Sequence, residues 1–386
     1  MGDGVKGIAV LGSTGSVGRQ TLEVVRQLGG SVRVVALAAR QNVTLLEEQA
    51  REFDAQLVWA EREVEYLRQR MKDGALKARW ATMEEMACHP DVDVVVVATA
   101  GKAGLAPTLA AASAGKAVAL ANKEVLVMAG HIVTRSAQRH GGQLRPVDSE
   151  HSAVWQCLWG ESAAGIARLI LTASGGAFRD RPLEELERVT PQEALRHPTW
   201  NMGHKVTVDS ATLFNKGMET IEARWLFGVP LERIEVVMHR ESIIHSMVEF
   251  TDGCIKAQLG VPDMRIPIQC ALTYPERLPF SAARLDLGRV GSLHFGPPDT
   301  HRFPCLALAM EAGRRGGTYP AVAAAADEVA VEHFLAAHIG FMDIPRLVEA
   351  ALAAHDAVAE PGLEEVLAAD DWARHWAHDW IKARVS

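Results

Sequence analysis

Three stretches of this sequence hold residue types that bind ions or move charge. The first is Asp148-Ser149-Glu150-His151, directly behind an apolar run at 143–147. Side chains two residues apart in extended chain point to the same side, so Asp148 and Glu150 are expected to converge on one ligand. Carboxylate oxygens suit a hard cation such as Mg2+ or Mn2+, and Glu219, in Asn215-Lys216-Gly217-Met218-Glu219, is the candidate third ligand. Taken alone, the pair fits a solvated turn as well, and no spacing ties Glu219 to it.

The second stretch suits a phosphorylated ligand. Thr172-Ala173-Ser174-Gly175-Gly176 offers hydroxyls and pliant backbone, the ingredients of an anion nest. Val208-Asp209-Ser210-Ala211-Thr212 and Asn215-Lys216 add hydroxyls, an amide and a cation, which suit a phosphate monoester. Between them, His197-Pro198-Thr199-Trp200-Asn201-Met202-Gly203 sets an aromatic between Pro and Gly hinges, the pattern of a lid that excludes water. A glycine turn and a core tryptophan are the structural alternatives. His151, His197 and His245 lie in these polar clusters and either titrate near neutrality or satisfy a local hydrogen bond.

The third is Gly12-Ser13-Thr14-Gly15-Ser16-Val17-Gly18, between an expected strand at 7–11 and an expected helix beginning near Ser16. Glycines let the backbone approach a pyrophosphate, and the helix start attracts its charge. An ordinary tight turn is the bland reading. The second strand is expected to end near Ala38, where an NAD enzyme places an acid against the ribose hydroxyls. This chain has Ala39-Arg40-Gln41-Asn42 instead. Arg40 can bind a 2'-phosphate through its charged fork, which favours NADPH over NADH. Asn122-Lys123-Glu124 likewise follows an apolar run at 117–121, placed for a site or for a plain helix start.

These residues must be carried on strands and helices. Short apolar runs at 7–11, 32–38, 55–59, 94–98, 117–121 and 143–147 alternate with helix-like stretches at 20–28, 43–52, 61–71, 83–87 and 107–114, the signature of βαβ units. The expected fold is α/β: an N-terminal Rossmann-type doubly wound parallel sheet, a central α+β catalytic domain with strands near 169–171, 234–237, 243–250 and 255–259, and a C-terminal α-helical domain with helices at 303–312, 319–337 and 345–354. The expected boundaries are 1–149, 150–275, a linker at 276–300, and 301–386.

At 386 residues the chain exceeds one typical domain, and 48% apolar with 23% charged residues is a globular balance. A net charge of -8 argues against a nucleic-acid enzyme, and no apolar stretch reaches the length of a membrane span. The opening Met1-Gly2-Asp3-Gly4-Val5-Lys6 has no secretory pattern, so a cytoplasmic protein is expected. Cys88, Cys157, Cys254, Cys270 and Cys305 show no paired spacing, and each is expected to be a reduced core residue.

Residues 12–18, 121–124, 148–151, 174–176, 197–203 and 209–219, taken in order, closely resemble the 1-deoxy-D-xylulose 5-phosphate reductoisomerase family, from about Lys6 to Pro275. The resemblance implies conversion of that sugar phosphate to 2-C-methyl-D-erythritol 4-phosphate in the mevalonate-independent isoprenoid pathway. It implies that Asp148, Glu150 and Glu219 bind Mg2+, Mn2+ or Co2+, and that Lys123, with Ser149 and Glu150, approaches the substrate beside the metal. Ser174, Ser210, Asn215 and Lys216 would hold the phosphate, with His197 and Trp200 closing over the sugar. Thr14, Gly15, Ser16, Val17, Arg40, Gln41, Asn42, Asn122, Glu124 and Gly203 would contact NADPH. Family members are typically homodimers.

Two departures stand out. Arg40-Gln41 replaces a frequent Gly-Lys, and His239-Arg240-Glu241-Ser242 replaces a more usual His-Pro-Gln-Ser. Neither touches an expected metal ligand. Two rival readings use the same glycine loop. An aspartate-semialdehyde-type dehydrogenase would need a nucleophilic cysteine in a catalytic setting. An NADPH-sensing module would not need the carboxylates or the phosphate pocket.

Overall fold

The computed structural model describes residues 5–200 and 202–385, so Asn201 of the expected lid and the opening Met1–Gly4 lie outside the described residues. Contacts divide the chain into two compact units. The first holds residues up to Val125, Val133–Ser152 and Asp263–Ala283; the second holds Leu126–Ile132, Ala153–Pro262 and the chain from Arg284 onward.

The first unit is built on a seven-stranded sheet in the order β4-β3-β2-β1-β5-β6-β7. Its strands are β1 (Lys6–Leu11), β2 (Val32–Ala39), β3 (Leu57–Ala60), β4 (Arg79–Trp80), β5 (Val94–Val97), β6 (Ala117–Leu120) and β7 (Gln143–Pro146). Every pairing is parallel. Such sheets are covered on both faces, which is why β1 and β5 are apolar and buried along nearly their whole length. The expected doubly wound sheet is there, with β4 added, a strand too short to leave an apolar run. Strand order reverses between β1 and β5, so the ligand crevice of this sheet lies beyond their carboxyl ends.

Two helices depart from the sequence reading. Glu124–His140 is 17 residues long, where the sequence reading offered only a helix start as one alternative, because its apolar residues bunch at Val125–Ala129 instead of recurring at helical spacing. Arg265–Thr273 packs on the helix Ser16–Gln27 and belongs to the first unit, whereas the sequence reading runs the middle domain to residue 275.

The second unit carries a mixed four-stranded sheet, order β11-β10-β8-β9, of β8 (Ile166–Ala173), β9 (Ile234–Met238), β10 (Ile244–Phe250) and β11 (Ile255–Leu259). Its helices include His204–Thr212, Phe214–Phe227, Cys305–Arg315, Tyr319–Leu335, Asp343–Ala354 and Leu363–Val385. The Ala-rich Tyr319–Leu335 is buried on nearly all sides and packs against both helices that follow it. The 23-residue Leu363–Val385 escapes the sequence reading because its buried stripe is thin: Val366, Ala369, Ala373, Ala377 and Ile381. No helix among the described residues is long and apolar enough to cross a membrane.

Cys157, Cys270 and Cys305 are buried as expected, but Cys88 and Cys254 are exposed. Cys88 closes the short helix Met83–Cys88, and Cys254 follows the turn between β10 and β11, positions that leave a side chain facing water.

Candidate active site

In the first unit, β1 turns at Gly12 into the helix Ser16–Gln27. Gly12 has φ +94°, and a Cβ there would stand 2.4 Å from the Ala98 carbonyl oxygen at the end of β5. A Cβ on Gly18 would stand 2.2 Å from the Gly12 oxygen. Only glycine fits either place. The helix start has no side-chain cap, so the amides of its first turn, at Ser16 and Val17, are available to an anion beside Thr14 and Gly15. Buried Ser13 donates to Gln49 Oε1 at 2.8 Å, and Gln49 Nε2 donates back to the Ser13 carbonyl at 3.1 Å. This lock holds the loop in shape, and the sequence reading missed it.

At the end of β2, the Arg40 side chain is 71% exposed, with Nε 3.2 Å from Glu61. Gln41 is exposed beside it, whereas Asn42 caps the helix Val43–Glu52 by accepting from the Leu45 amide at 3.1 Å. Asn122 is buried and engaged as well. Its Nδ2 donates to the Gly101 carbonyl at 2.9 Å and to Thr99 Oγ1 at 3.2 Å, and its Oδ1 accepts from Val125 N at 3.2 Å. Glu124 follows as the first residue of its helix. An open glycine loop beside an exposed arginine fits a phosphorylated dinucleotide.

Lys123, 7% exposed, forms an ion pair with Asp148. The chain around Asp148 is not extended. Asp148 caps the helix Ser149–Cys157, its carbonyl accepting from Ser152 N at 2.8 Å and its Oδ1 from Ser149 N at 3.2 Å. Glu150 therefore lies in the first helical turn and accepts from Ser149 Oγ at 2.6 Å. Buried Ala153, Val154 and Cys157 supply the helical spacing that overrides the extended reading. Acids are favoured at a helix start, and this donor set is all oxygen, suited to a hard cation.

In the second unit the expected phosphate residues fall into two groups. Ser174 Oγ and Ser210 Oγ both approach His197 Nε2, at 3.0 and 3.1 Å. His197 Nδ1 accepts from the amides of Thr199, at 3.2 Å, and Trp200, at 2.9 Å, so the ring proton sits on Nε2 and points at the serines. Gly176 makes this approach possible, because a Cβ at its φ of +66° would stand 2.4 Å from the Ser210 carbonyl. In the second group, buried Glu219 accepts from Lys216 Nζ at 2.5 Å and from Asn215. Gly203 caps the helix His204–Thr212, with open space where a Cβ would project.

Sequence reasoning passed over three features here. Arg179 donates to the Ser174 carbonyl at 3.0 Å. The Trp200 ring lies 5.9 Å from that of His245, a ring contact that spacing does not announce although His245 was expected in these clusters. Lys205 bridges two fully buried carboxylates, Asp209 at 2.5 Å and Asp327 at 3.0 Å. No spacing announces any of them. The departure at Arg240-Glu241 is accommodated by an ion pair of Arg240 with Asp180 and by a hydrogen bond between His294 Nδ1 and Glu241 at 2.6 Å.

Burial, helped by the charge of Arg179, pushes His197 down to about 4, and burial likewise pushes His245 down to about 4. Both rings are neutral at pH 7 and titrate near 6.5 when unfolded. Their contribution to stability is therefore complete above about 6.5 and is lost as pH falls from there through about 4. We expect NMR titration to place both imidazole midpoints near 4, and His197→Gln with His245→Gln to flatten the pH dependence of stability in that window. A His197 midpoint near 6.5 would contradict the burial seen here.

A parallel sheet whose crevice opens on a glycine loop and an exposed arginine is that of a dinucleotide-dependent enzyme. Comparison with known proteins narrows this class to one family. Models of 1-deoxy-D-xylulose 5-phosphate reductoisomerase match residues 8–130, of its C-terminal domain residues 144–227, and of the DXP reductoisomerase C-terminal domain residues 259–376. The reductoisomerase of Pelotomaculum thermopropionicum is 54% identical over 96% of this chain and 97% of its own length. That of Heliobacterium modesticaldum is 54% identical over 98% of each. A crystal structure of DOX-P reductoisomerase in complex with NADPH, fosmidomycin and magnesium matches with a TM-score of 0.93 at 41% identity, over 98% of both chains. The Zymomonas mobilis enzyme in complex with NADPH matches at 0.90 and 42%, over 98% of this chain and 99% of its own. The chain belongs to the 1-deoxy-D-xylulose 5-phosphate reductoisomerase family.

Proposed function

We infer that this chain converts 1-deoxy-D-xylulose 5-phosphate to 2-C-methyl-D-erythritol 4-phosphate, using NADPH and a divalent metal, in the mevalonate-independent isoprenoid pathway. The observation that carries the inference is the end-to-end match to reductoisomerases, at 54% identity over 96% of the chain. When bound, NADPH supplies the hydride and the cation supplies Lewis acidity toward the substrate oxygens.

The roles of the chain's own residues are our proposal. Asp148, Glu150 and Glu219 hold the cation, Mg2+, Mn2+ or Co2+, through carboxylate oxygens. Lys123 keeps a fixed positive charge beside Asp148, and Ser149 contacts the substrate. Ser174, Ser210, Asn215 and Lys216 bind the phosphate. Neutral His197 donates its Nε2–H there, and the Trp200 segment, rooted on His197 Nδ1, closes over the sugar to exclude water. Thr14, Gly15, Ser16 and Val17 take the pyrophosphate, and Arg40 and Gln41 the 2'-phosphate. Glu124 and Gly203 complete the cofactor contacts, with Asn42 and Asn122 acting through their backbone because their side chains are engaged. Residues 1–149 thus carry most of the cofactor contacts together with Lys123 and Asp148, residues 150–275 carry most of the substrate contacts together with Glu150, Glu219 and the cofactor contact Gly203, and 301–386, beyond a linker at 276–300, support them.

The test is turnover. NADPH absorbance should fall on addition of 1-deoxy-D-xylulose 5-phosphate, and only when Mn2+ or Mg2+ is supplied. NADPH binding without consumption under any metal would overturn the inference. Arg40→Glu tests the selector: losing a charge-assisted contact worth about 1.5–3 kcal/mol should raise the KM for NADPH roughly 10- to 100-fold and leave that for NADH nearly unchanged. Equal effects on both cofactors would remove Arg40 from the 2'-phosphate site.

A homodimer is also proposed. Strand β11 lies at the edge of its sheet with Ile255 51% and Leu259 37% exposed, a surface that favours pairing with a second copy. Sedimentation equilibrium should give twice the chain mass, and Ile255→Asp should lower it. A wild-type chain sedimenting as a monomer would end the proposal.

A further inference from the structure

Three imidazoles that meet at the end of the helix Tyr319–Leu335, those of His333, His338 and His378, have no role in the proposed reaction. The helix finishes in a Schellman turn: His338 N donates to the His333 carbonyl at 2.9 Å and Ala337 N to the Phe334 carbonyl at 2.8 Å, with Ala337 left-handed at φ +57°. Such a turn folds the residue after the left-handed position back over the last helical turn, where a pair of apolar side chains usually meets. Here both members are histidines, and their Nδ1 atoms stand 3.2 Å apart. On the other side of the ring, His333 Nε2 lies 3.1 Å from His378 Nδ1, on the helix Leu363–Val385. His338 is exposed, and His333 and His378 are half-buried.

We propose that His333 and His338 chelate a divalent transition-metal ion of the Zn2+, Ni2+ or Cu2+ type through their Nδ1 atoms, and that His378 orients the pair. Two imidazole nitrogens sharing one tetrahedral ion, each about 2.0–2.1 Å from it, stand roughly 3.3 Å from each other. The Nδ1 atoms already have that spacing. A ligating histidine characteristically donates its second ring N–H to an acceptor that fixes tautomer and orientation. His378 Nδ1 is that acceptor for His333 Nε2. Burial and the neighbouring His378 and His338 also lower the pKa of His333, which keeps the ring in the neutral form that binds metal. Imidazole suits these ions, whereas the oxygen donors Asp148, Glu150 and Glu219 suit Mg2+ and Mn2+, so the two sites sort different ions. Water fills the remaining positions.

The test is a Zn2+ titration of the full chain in saturating Mg2+, read by competition with a chromophoric chelator. The wild type should bind one more Zn2+ per chain than His338→Gln, a substitution on an exposed turn that leaves the helix core untouched. His378→Gln should keep the site but weaken it by roughly 10- to 100-fold. A second readout likewise needs no variant of the half-buried His333. The spectrum of one equivalent of Cu2+ should show nitrogen superhyperfine coupling that His338→Gln reduces. Equal Zn2+ stoichiometry in the wild type and His338→Gln, or a Cu2+ spectrum unchanged by that substitution, would overturn the proposal.

Discussion

Glu219→Gln is expected to cut kcat by roughly a thousandfold or more while leaving NADPH affinity unchanged. The glutamate is 1% exposed on the helix Phe214–Phe227 and accepts from Lys216 Nζ and Asn215 Nδ2. Glutamine has the same shape, so packing survives. It loses the negative charge, and its amide nitrogen meets one of two donors that both need an acceptor. Breaking the buried pair with Lys216 costs about 3 kcal/mol of stability. That lowers Tm by several degrees without unfolding the protein. A neutral amide oxygen is a much weaker ligand to a hard cation than a carboxylate, so the loss in turnover should far exceed the loss in stability. The measurement is kcat at saturating substrate, NADPH and Mn2+, beside the NADPH Kd of the variant. A kcat within tenfold of the wild type would remove Glu219 from the proposed metal site.

The contrast between this residue and the glycine loop shows what sequence alone can carry. The loop is legible because its determinants are local: an apolar strand, glycines where the backbone must turn tightly, and a helix start, all within residues 7–18. The helix Val43–Glu52 is legible for the same reason, with Asn42 capping it. Asp148 and Glu150 were read as converging carboxylates on extended chain, yet an Asp followed by a Glu two residues on is also how a helix begins. The helix Ser149–Cys157 takes that second reading, with both acids at its start.

His197, Ser174 and Ser210 were expected in one pocket, but their hydrogen bonds, like the Lys205 bridge, depend on partners distant in sequence. His197 bonds Ser174 and Ser210, 23 and 13 residues away. Lys205 joins Asp209, one helical turn on, to Asp327 on the distant helix Tyr319–Leu335. A periodicity reading sees neither. It also fails where burial is uniform, as at Val125–Ala129, or where the buried stripe is mostly alanine, as in Leu363–Val385.

Gly12→Ala should damage both the fold and the cofactor site of the first unit with a single methyl group. At φ +94° an L side chain is strained by about 1–2 kcal/mol. Its Cβ would also lie 2.4 Å from the Ala98 oxygen and 2.9 Å from the Thr99 amide nitrogen, both backbone atoms that cannot rotate away. Relief requires the ends of β1 and β5 to part, at the point where the sheet reverses and the cofactor crevice opens. A total near 3–4 kcal/mol lowers Tm by roughly 10 °C, and NADPH affinity should fall at least a hundredfold because the amides of the following helix no longer face one point. Gly15→Ala separates fold from ligand. Gly15 has an ordinary φ of -76°, and its Cβ would meet only the Gly12 oxygen at 3.3 Å. That substitution should cost about 1 kcal/mol through the weaker helix cap and act mainly on the cofactor. Calorimetry without NADPH and fluorescence titration with it read the two effects apart. A Gly12→Ala protein melting within a degree or two of the wild type would mean that the turn is looser than the Ala98 contact requires. The helix start would then have to hold the pyrophosphate by its charge alone.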